Sequence, residues 1–227
     1  MYMFIKKYMG IGDGDLQEII KIIENNPHIK TCGILGDCSF HYRGGSKEHF
    51  KNLLKLDTLE TFDINGNPDY KLDLQDRVGV EFEKKYDLII DPGTLYCVFD
   101  IPSCLKNIFY MLRKDGIIFH NSNLVGHFGR GFYALSPSFY NEFYRSNGFE
   151  IMKMAYLMRG GTGGWIDMPI GKHYLQYADM SRMVWGDKGT IKTLVPCDSS
   201  LLCIVKRNNA NPFTRPIPEH YIKTKGK

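Results

Sequence analysis

Acidic residues and one glycine turn stand at the ends of successive apolar runs. Gly36-Asp37 follows Thr31 to Leu35, Asp63 closes Leu59 to Ile64, Asp73 lies near the end of Tyr70 to Leu74, and Asp91 ends Tyr86 to Asp91. In an open parallel sheet, ligands bind beyond the carboxyl ends of the strands. Carboxylates in phase at those ends would line one crevice, beside one tight turn. Such a rim suits a ligand that carries a ribose, an adenine amine and a positive centre but no phosphates. A phosphate-bearing nucleotide wants a glycine-rich loop opening a helix, and neither G-x-G-x-x-G nor a P-loop occurs. Asp63 is positioned to accept hydrogen bonds from the two ribose hydroxyls, and Asp73 or its neighbouring backbone to meet the adenine amine. His120, at the end of the next apolar run, and His127, just beyond, are the bases available near that edge, and a histidine suits proton removal near neutral pH. Asn121, Arg130 and Tyr133 are candidates to orient an acceptor.

The elements that must hold these residues follow from spacing. Leu16, Ile19, Ile20 and Ile23 recur at helical intervals until Asn25-Asn26-Pro27. A second helix is expected from Lys47 to Leu54. A third, carrying Leu105, Ile108, Phe109 and Leu112, should close at Arg113-Lys114-Asp115-Gly116. A fourth should open at Ser136-Pro137 and run to about Ser146. Strands are expected at Thr31 to Leu35, Leu59 to Ile64, Tyr70 to Leu74, Tyr86 to Asp91, Gly116 to His120 and Phe149 to Met154. A last strand, Ser200 to Val205, is expected to be antiparallel at or near an edge. Short buried strands alternating with helices predict an α/β fold, a mostly parallel sheet wrapped on both faces.

Length and composition bound the rest. The 227 residues, 43% hydrophobic and 24% charged, suffice for one domain with a full core. The expected organisation is a single domain over 1–227, its core about 16–154 plus 196–207. An aromatic and glycine-rich insertion is expected at about 156–195, and a tail at 208–227. The net charge of +4 is spread thinly, with no basic stripe of the kind that binds nucleic acid. The six cysteines include no C-x-x-C pair and read as reduced core residues; no metal-ligand spacing is present. No run is long enough to cross a bilayer, so a cytoplasmic protein without membrane contact is expected.

Three segments carry a resemblance. Tyr86-Asp-Leu-Ile-Ile-Asp-Pro-Gly-Thr-Leu-Tyr-Cys-Val-Phe-Asp100, the helix through Leu105 to Gly116, and Ile117-Ile-Phe-His120 together resemble the fourth-to-fifth-strand block of class I S-adenosylmethionine-dependent methyltransferases. The continuation, Gly126 to Pro137 and Phe139 to Glu150, is similar to bacterial and viral members linked with surface sugars. The resemblance covers about Lys30 to Glu150 and the final strand. It implies a Rossmann-like fold with a seven-stranded sheet, and S-adenosyl-L-methionine as cofactor, held by Gly36, Asp37, Cys38, Asp63, Ile64, Asp73, Leu74, Asp91 and Gly93. It also implies methyl transfer to a small-molecule or sugar acceptor, with His120 or His127 as base. The chain departs from the family in its first loop: where an acidic residue followed by G-x-G-x-G is usual, Gly36-Asp37-Cys38-Ser39-Phe40 keeps only the first glycine. Tyr96-Cys97 likewise replaces a Glu-His pair. Two alternatives stay open: methylation of nucleic acid or protein, and a non-catalytic binding module that retains the fold.

Overall fold

The computed structural model describes residues 10–126, 129–158, 164–168, 184–185, 193–194, 198–209 and 211–217. In chain order these form β1 (Gly10–Ile11), α1 (Asp13–Asn25), β2 (Thr31–Leu35), β3 (Ser39–Phe40), α2 (Lys47–Leu53), β4 (Thr58–Asp63), β5 (Tyr70–Lys71) and β6 (Tyr86–Asp91). There follow α3 (Ile101–Met111), β7 (Leu112–Val125), α4 (Pro137–Ser146), β8 (Phe149–Met158), β9 (Ile166–Asp167), the ribbon of β10 (Val184–Trp185) with β11 (Thr193–Leu194), and β12 (Ser199–Arg207).

The main sheet has the order β5-β4-β2-β6-β7-β12-β8-β9. The strands from β5 to β7 are parallel, β12 is antiparallel to both its neighbours, and β9 is antiparallel to β8. From β2 the chain builds outward through β4 to β5, then returns to β6 and builds the other way. The order therefore reverses between β2 and β6, and there the loops leave toward opposite faces and open a crevice.

Strand β6 shows why the sheet is covered twice. Leu88 and Ile90 join one apolar cluster with Ile19 and Ile22 of α1 and Phe50 of α2. Ile89, pointing the other way, and Tyr86, set off from Leu88 by an irregularity in the pairing with β7, join a second cluster with Leu105 and Ile108 of α3 and Tyr140 and Tyr144 of α4. A strand buried on both faces reads as an unbroken apolar run. Truncating a fully buried residue such as Ile89 to alanine would cost about 2–5 kcal/mol.

Helix ends follow local chemistry. Asp100 accepts the Ser103 N–H at 3.2 Å and Ser136 accepts the Phe139 N–H at 3.2 Å, each followed by proline in the first turn. The far end of α3 is satisfied from β12: Arg207 Nη1 donates to the carbonyls of Phe109 and Leu112, both at 2.8 Å, while its guanidinium lies 4.0 Å from the Phe109 ring centroid. The tail crosses α4, where Asn147 Nδ2 donates to Thr214 O and Asn147 Oδ1 accepts the Thr214 N–H.

Several boundaries differ from those expected. β12, expected antiparallel at or near an edge, is antiparallel and third from the β9 end, between β7 and β8, where Leu201 to Val205 is covered on both faces. β8 runs on to Met158, into the stretch expected as insertion, and β9 adds an eighth strand where seven were expected. α3 stops at Met111, and the left-handed residue of the following bend is Asp115 (φ 62°). The third expected strand shrinks to Tyr70–Lys71, since Asp73 turns the chain by accepting the Gln75 N–H at 2.8 Å. Most of the expected insertion lies outside the described residues.

Candidate active site at the sheet switch point

The loops after β2 and β4 are tied to each other by two carboxylates. Asp63 Oδ2 accepts the backbone N–H of Asp37 at 2.7 Å, and its Oδ1 accepts that of Asn65 at 2.9 Å. Asp37 Oδ2 in turn accepts the Asn67 N–H at 2.9 Å. Each Asp63 oxygen has a lone pair beyond these bonds. The residue is only partly buried, and Ile64 beside it is 55% exposed. Gly36 holds φ +92°, and a Cβ there would stand 2.6 Å from Thr94 Oγ1 and 3.8 Å from Asp63 Oδ2. The expected rim residues Gly36, Asp37 and Asp63 thus meet at one place. Thr94 Oγ1 donates to Leu35 O at 2.7 Å, which fastens the loop after β6 to the end of β2.

Asp73 faces inward to its own turn: Oδ1 accepts from Gln75 N and Nε2. Gln75 Oε1 then receives the N–H groups of Phe99 and Asp100, at 3.0 and 2.7 Å, and Leu74 is buried beneath. Asp73 and Leu74 therefore brace the loop after β6 by way of Gln75. Cys38 is half-buried; burial, reinforced by the Asp37 charge, pushes its thiol up to about 12, so it stays protonated and uncharged.

Asp91 and His120 sit deeper than expected. Asp91 is buried, its Oδ1 accepting the N–H groups of Gly93, Thr94 and Leu95 at 3.2, 2.7 and 3.1 Å. Its Oδ2 meets His120 Nδ1 at 2.8 Å, and His120 Nε2 meets the Tyr144 hydroxyl. Burial drives the Tyr144 phenol well above its ordinary range, so it keeps its proton and donates. The consistent arrangement has Nδ1–H donating to Asp91 and Nε2 accepting from Tyr144. In this arrangement His120 offers neither nitrogen to an acceptor, and Asp91 offers no oxygen to a ligand. Both act as struts joining β6, β7 and α4. Gly93 (φ +116°) lies against Tyr96, 3.2 Å from where its Cβ would stand. His127 lies outside the described residues.

One acid absent from the sequence reading completes the rim. Asp15, in the first turn of α1, accepts the Gly12 N–H at 3.0 Å through Oδ2 and the Asn121 side-chain amide at 3.0 Å through Oδ1. Burial pushes its carboxyl up to about 6, against the opposing pull of those two hydrogen bonds. Asn121, expected to orient an acceptor, is thereby turned toward α1.

The loop after β7 folds over the top of β6. Phe132 N and Tyr133 N donate to Tyr96 O, and Tyr133 Oη donates to Phe99 O at 3.0 Å. Arg130 stands near enough to Cys97 for its charge to work against the burial that raises that thiol. Phe99 and Phe132 remain largely exposed and meet edge-on at 5.5 Å. Behind them a cavity of about 840 Å³ is walled by Phe99, Tyr133, Phe139, Phe143 and Phe213, with Arg215 among its lining residues. Among the described residues no cluster of His, Cys, Asp or Glu could hold a metal ion, and no helix is long and apolar enough to cross a membrane. The five described cysteines are free.

No family model and no curated protein matches the sequence. Solved structures do match. A candidate methyltransferase of Bacillus halodurans superposes with a TM-score of 0.54 at 9% identity, over 86% of this chain and 99% of that one. The fold is that of the class I methyltransferases. The YcgJ protein of Bacillus subtilis matches that fold at 0.51 and 12% identity, over 86% and 98% of the two chains. The 1,6-didemethyltoxoflavin-N1-methyltransferase of Burkholderia thailandensis, solved with 1,6-didemethyltoxoflavin and S-adenosylhomocysteine, matches at 0.50 and 12% identity, over 86% and 78%. In this chain the methyltransferase fold places the reversal of strand order, and hence its crevice, between Gly36 and Gly93.

Proposed function

We propose that the chain is an S-adenosylmethionine-dependent methyltransferase acting on a small polar acceptor, a sugar in the first instance, and that it works in the cytoplasm as a single domain. The observation that carries this is the junction of Gly36, Asp37 and Asp63 at the point where the strand order reverses. The chemistry of the rim fits an adenosine with a positive centre: carboxylate oxygens with lone pairs to spare, an exposed apolar neighbour in Ile64, and no phosphate-binding loop. Asp63 would take the ribose hydroxyls, Ile64 and the backbone at Asp73 and Leu74 the adenine, and the turn Gly36 to Cys38, with Gly93 opposite, the remainder. S-adenosylmethionine of the kind whose product is bound in the Burkholderia enzyme supplies an activated methyl group.

The chain's own part is to bind, orient and accept a proton. The exposed rings of Phe99 and Phe132 offer flat faces to an acceptor approaching over β6 and β7. His127 is the proposed proton acceptor, since both nitrogens of His120 are engaged inside the protein.

Titration calorimetry with S-adenosylhomocysteine tests the reading, with micromolar binding expected. Labelled cofactor offered with nucleotide sugars, and separately with nucleic acid, then identifies the acceptor class. A second reading, a binding module that has lost the cofactor, is favoured by one feature. Of Cys38 and Phe40, where the family's loop carries its further glycines, Phe40 lies in β3 and pairs with Ile11 of β1. Absence of measurable binding in the same titration supports that reading and overturns the first.

A further inference from the structure

Asp15 is a buried carboxylate. Among the described residues no lysine, arginine or histidine pairs with it; its partners are the Gly12 amide and the Asn121 side chain. The neighbouring acid Glu18, one turn on, is held by Lys21 and Lys153. A charge taken out of water without a partner is costly, and the ordinary outcome is a pairing or a neutral group. Burial raises the Asp15 carboxyl only to about 6, which leaves it ionised at pH 7.5.

Its place in the fold makes that charge useful. Asn121 ends the parallel part of β7, and its carbonyl oxygen lies 3.7 Å from the Cβ position of Gly93 at the end of β6. On the other side Asp15 is near enough to Cys38, in the loop after β2, to act on its thiol. The carboxylate thus stands between the end of β7 and the loop after β2, while β2 itself, Thr31-Cys-Gly-Ile-Leu, brings no acid. Alongside, the Trp165 indole nitrogen is buried with no hydrogen-bond partner among the described residues, and it stands 3.5 Å from the Cβ position of Gly14. An anion with no cation partner in the first turn of α1 and, packed against that turn, an N–H donor with no acceptor among the described residues match the two ends of an amino-acid group, ammonium and carboxylate.

Resting on the methyltransferase reading, we propose that Asp15 is the counter-ion for the positively charged end of the bound nucleoside, and so a specificity-determining residue of the cofactor site. The test is calorimetry at one pH with three probes. S-adenosylmethionine carries sulfonium and ammonium, S-adenosylhomocysteine the ammonium alone, and methylthioadenosine neither. Asp15→Asn is expected to weaken the first two roughly tenfold or more and to leave methylthioadenosine within about twofold. Loss confined to S-adenosylmethionine assigns the carboxylate to the sulfonium; loss for both assigns it to the ammonium, and either supports the proposal. Equal weakening of all three, or of none, overturns it while leaving the methyltransferase reading intact. If the unaltered chain binds none of the three, that broader reading falls and this one with it. A melting curve verifies that the variant folds, and Asp15→Ser, smaller and also uncharged, replaces it where the Asn121 amide cannot turn to accommodate Asn.

Discussion

Asp63 accepts the backbone N–H of Asp37 through Oδ2 at 2.7 Å, so one carboxylate both terminates β4 and fixes the first turn after β2. Asp63→Ala removes that bond and the one from Asn65 together. A stability loss of about 1–3 kcal/mol is expected, because amides at a partly buried turn lose a charged acceptor. Affinity for S-adenosylhomocysteine should fall by more than tenfold. Calorimetry and urea denaturation on the same preparation separate the two effects, and undiminished affinity would remove Asp63 from the ribose role.

Gly36 and Thr94 are predicted to be coupled. Gly36→Ala forces a side chain onto a backbone at φ +92° and to within 2.6 Å of Thr94 Oγ1, for an expected cost of about 1–3 kcal/mol. Thr94→Ala removes the obstructing hydroxyl, along with its bond to Leu35 O. The double variant should therefore be more stable than the two single losses sum to. Simple additivity in a double-mutant cycle would show that strain at Gly36 is backbone strain alone.

The Asp91–His120–Tyr144 chain should act on stability first. His120→Leu leaves one oxygen of the buried Asp91 carboxylate and the buried Tyr144 phenol without a partner, and a loss of about 3–5 kcal/mol is expected by chemical denaturation. His120→Asn, which can still donate to Asp91, should recover part of it. Turnover per folded molecule in the Asn variant is expected to stay within a few fold of the parent. A fall of a hundredfold or more with the fold intact would return His120 to the role of base.

Two acids predict opposite limbs of the pH–stability curve. Burial raises the Asp87 carboxyl, but the amide of Lys30, the hydroxyl of Thr31, Arg113 and the amide of Thr31 outweigh it and hold the group below its ordinary range. Its stabilisation is therefore present above the unfolded-state value and lost as pH falls through the lowered folded value, and Asp87→Asn should flatten the acid limb. Asp15 is raised, from 3.8 to about 6, so the folded state holds its proton more tightly than the unfolded chain. Stability then declines as pH climbs between those values. Asp15→Asn should gain on the parent by up to about 3 kcal/mol at pH 8 and by little at pH 4. Melting temperatures across that range check both signs.

The strands buried on both faces were legible in the sequence, because an unbroken run such as Leu88-Ile89-Ile90 has one good explanation. The rim was legible in part, since a turn residue at a strand end points to the crevice whatever its partner. Two things were not. A strand-end acid looks the same whether it faces a ligand or binds its own loop; Asp91, with Gly93, Thr94 and Leu95 just ahead of it, had the spacing of an internal cap. Asp15 finds its partner Asn121 at a separation of 106 residues, which no local pattern reports. Nor does periodicity reveal which neighbours a strand will have: Leu201 to Val205 declared two covered faces and left its place in the order open.

That place has a bearing on how the molecule is made. β7 and β8 do not touch as strands; each zips to β12 instead, on opposite sides. During synthesis the ribosome delivers β8 before the segment that will hold it, leaving open the flank of Phe149 to Met158 that will face β12 and the matching flank of β7. The nascent protein must wait, adhesive edges uncovered, until a late keystone drops into the gap.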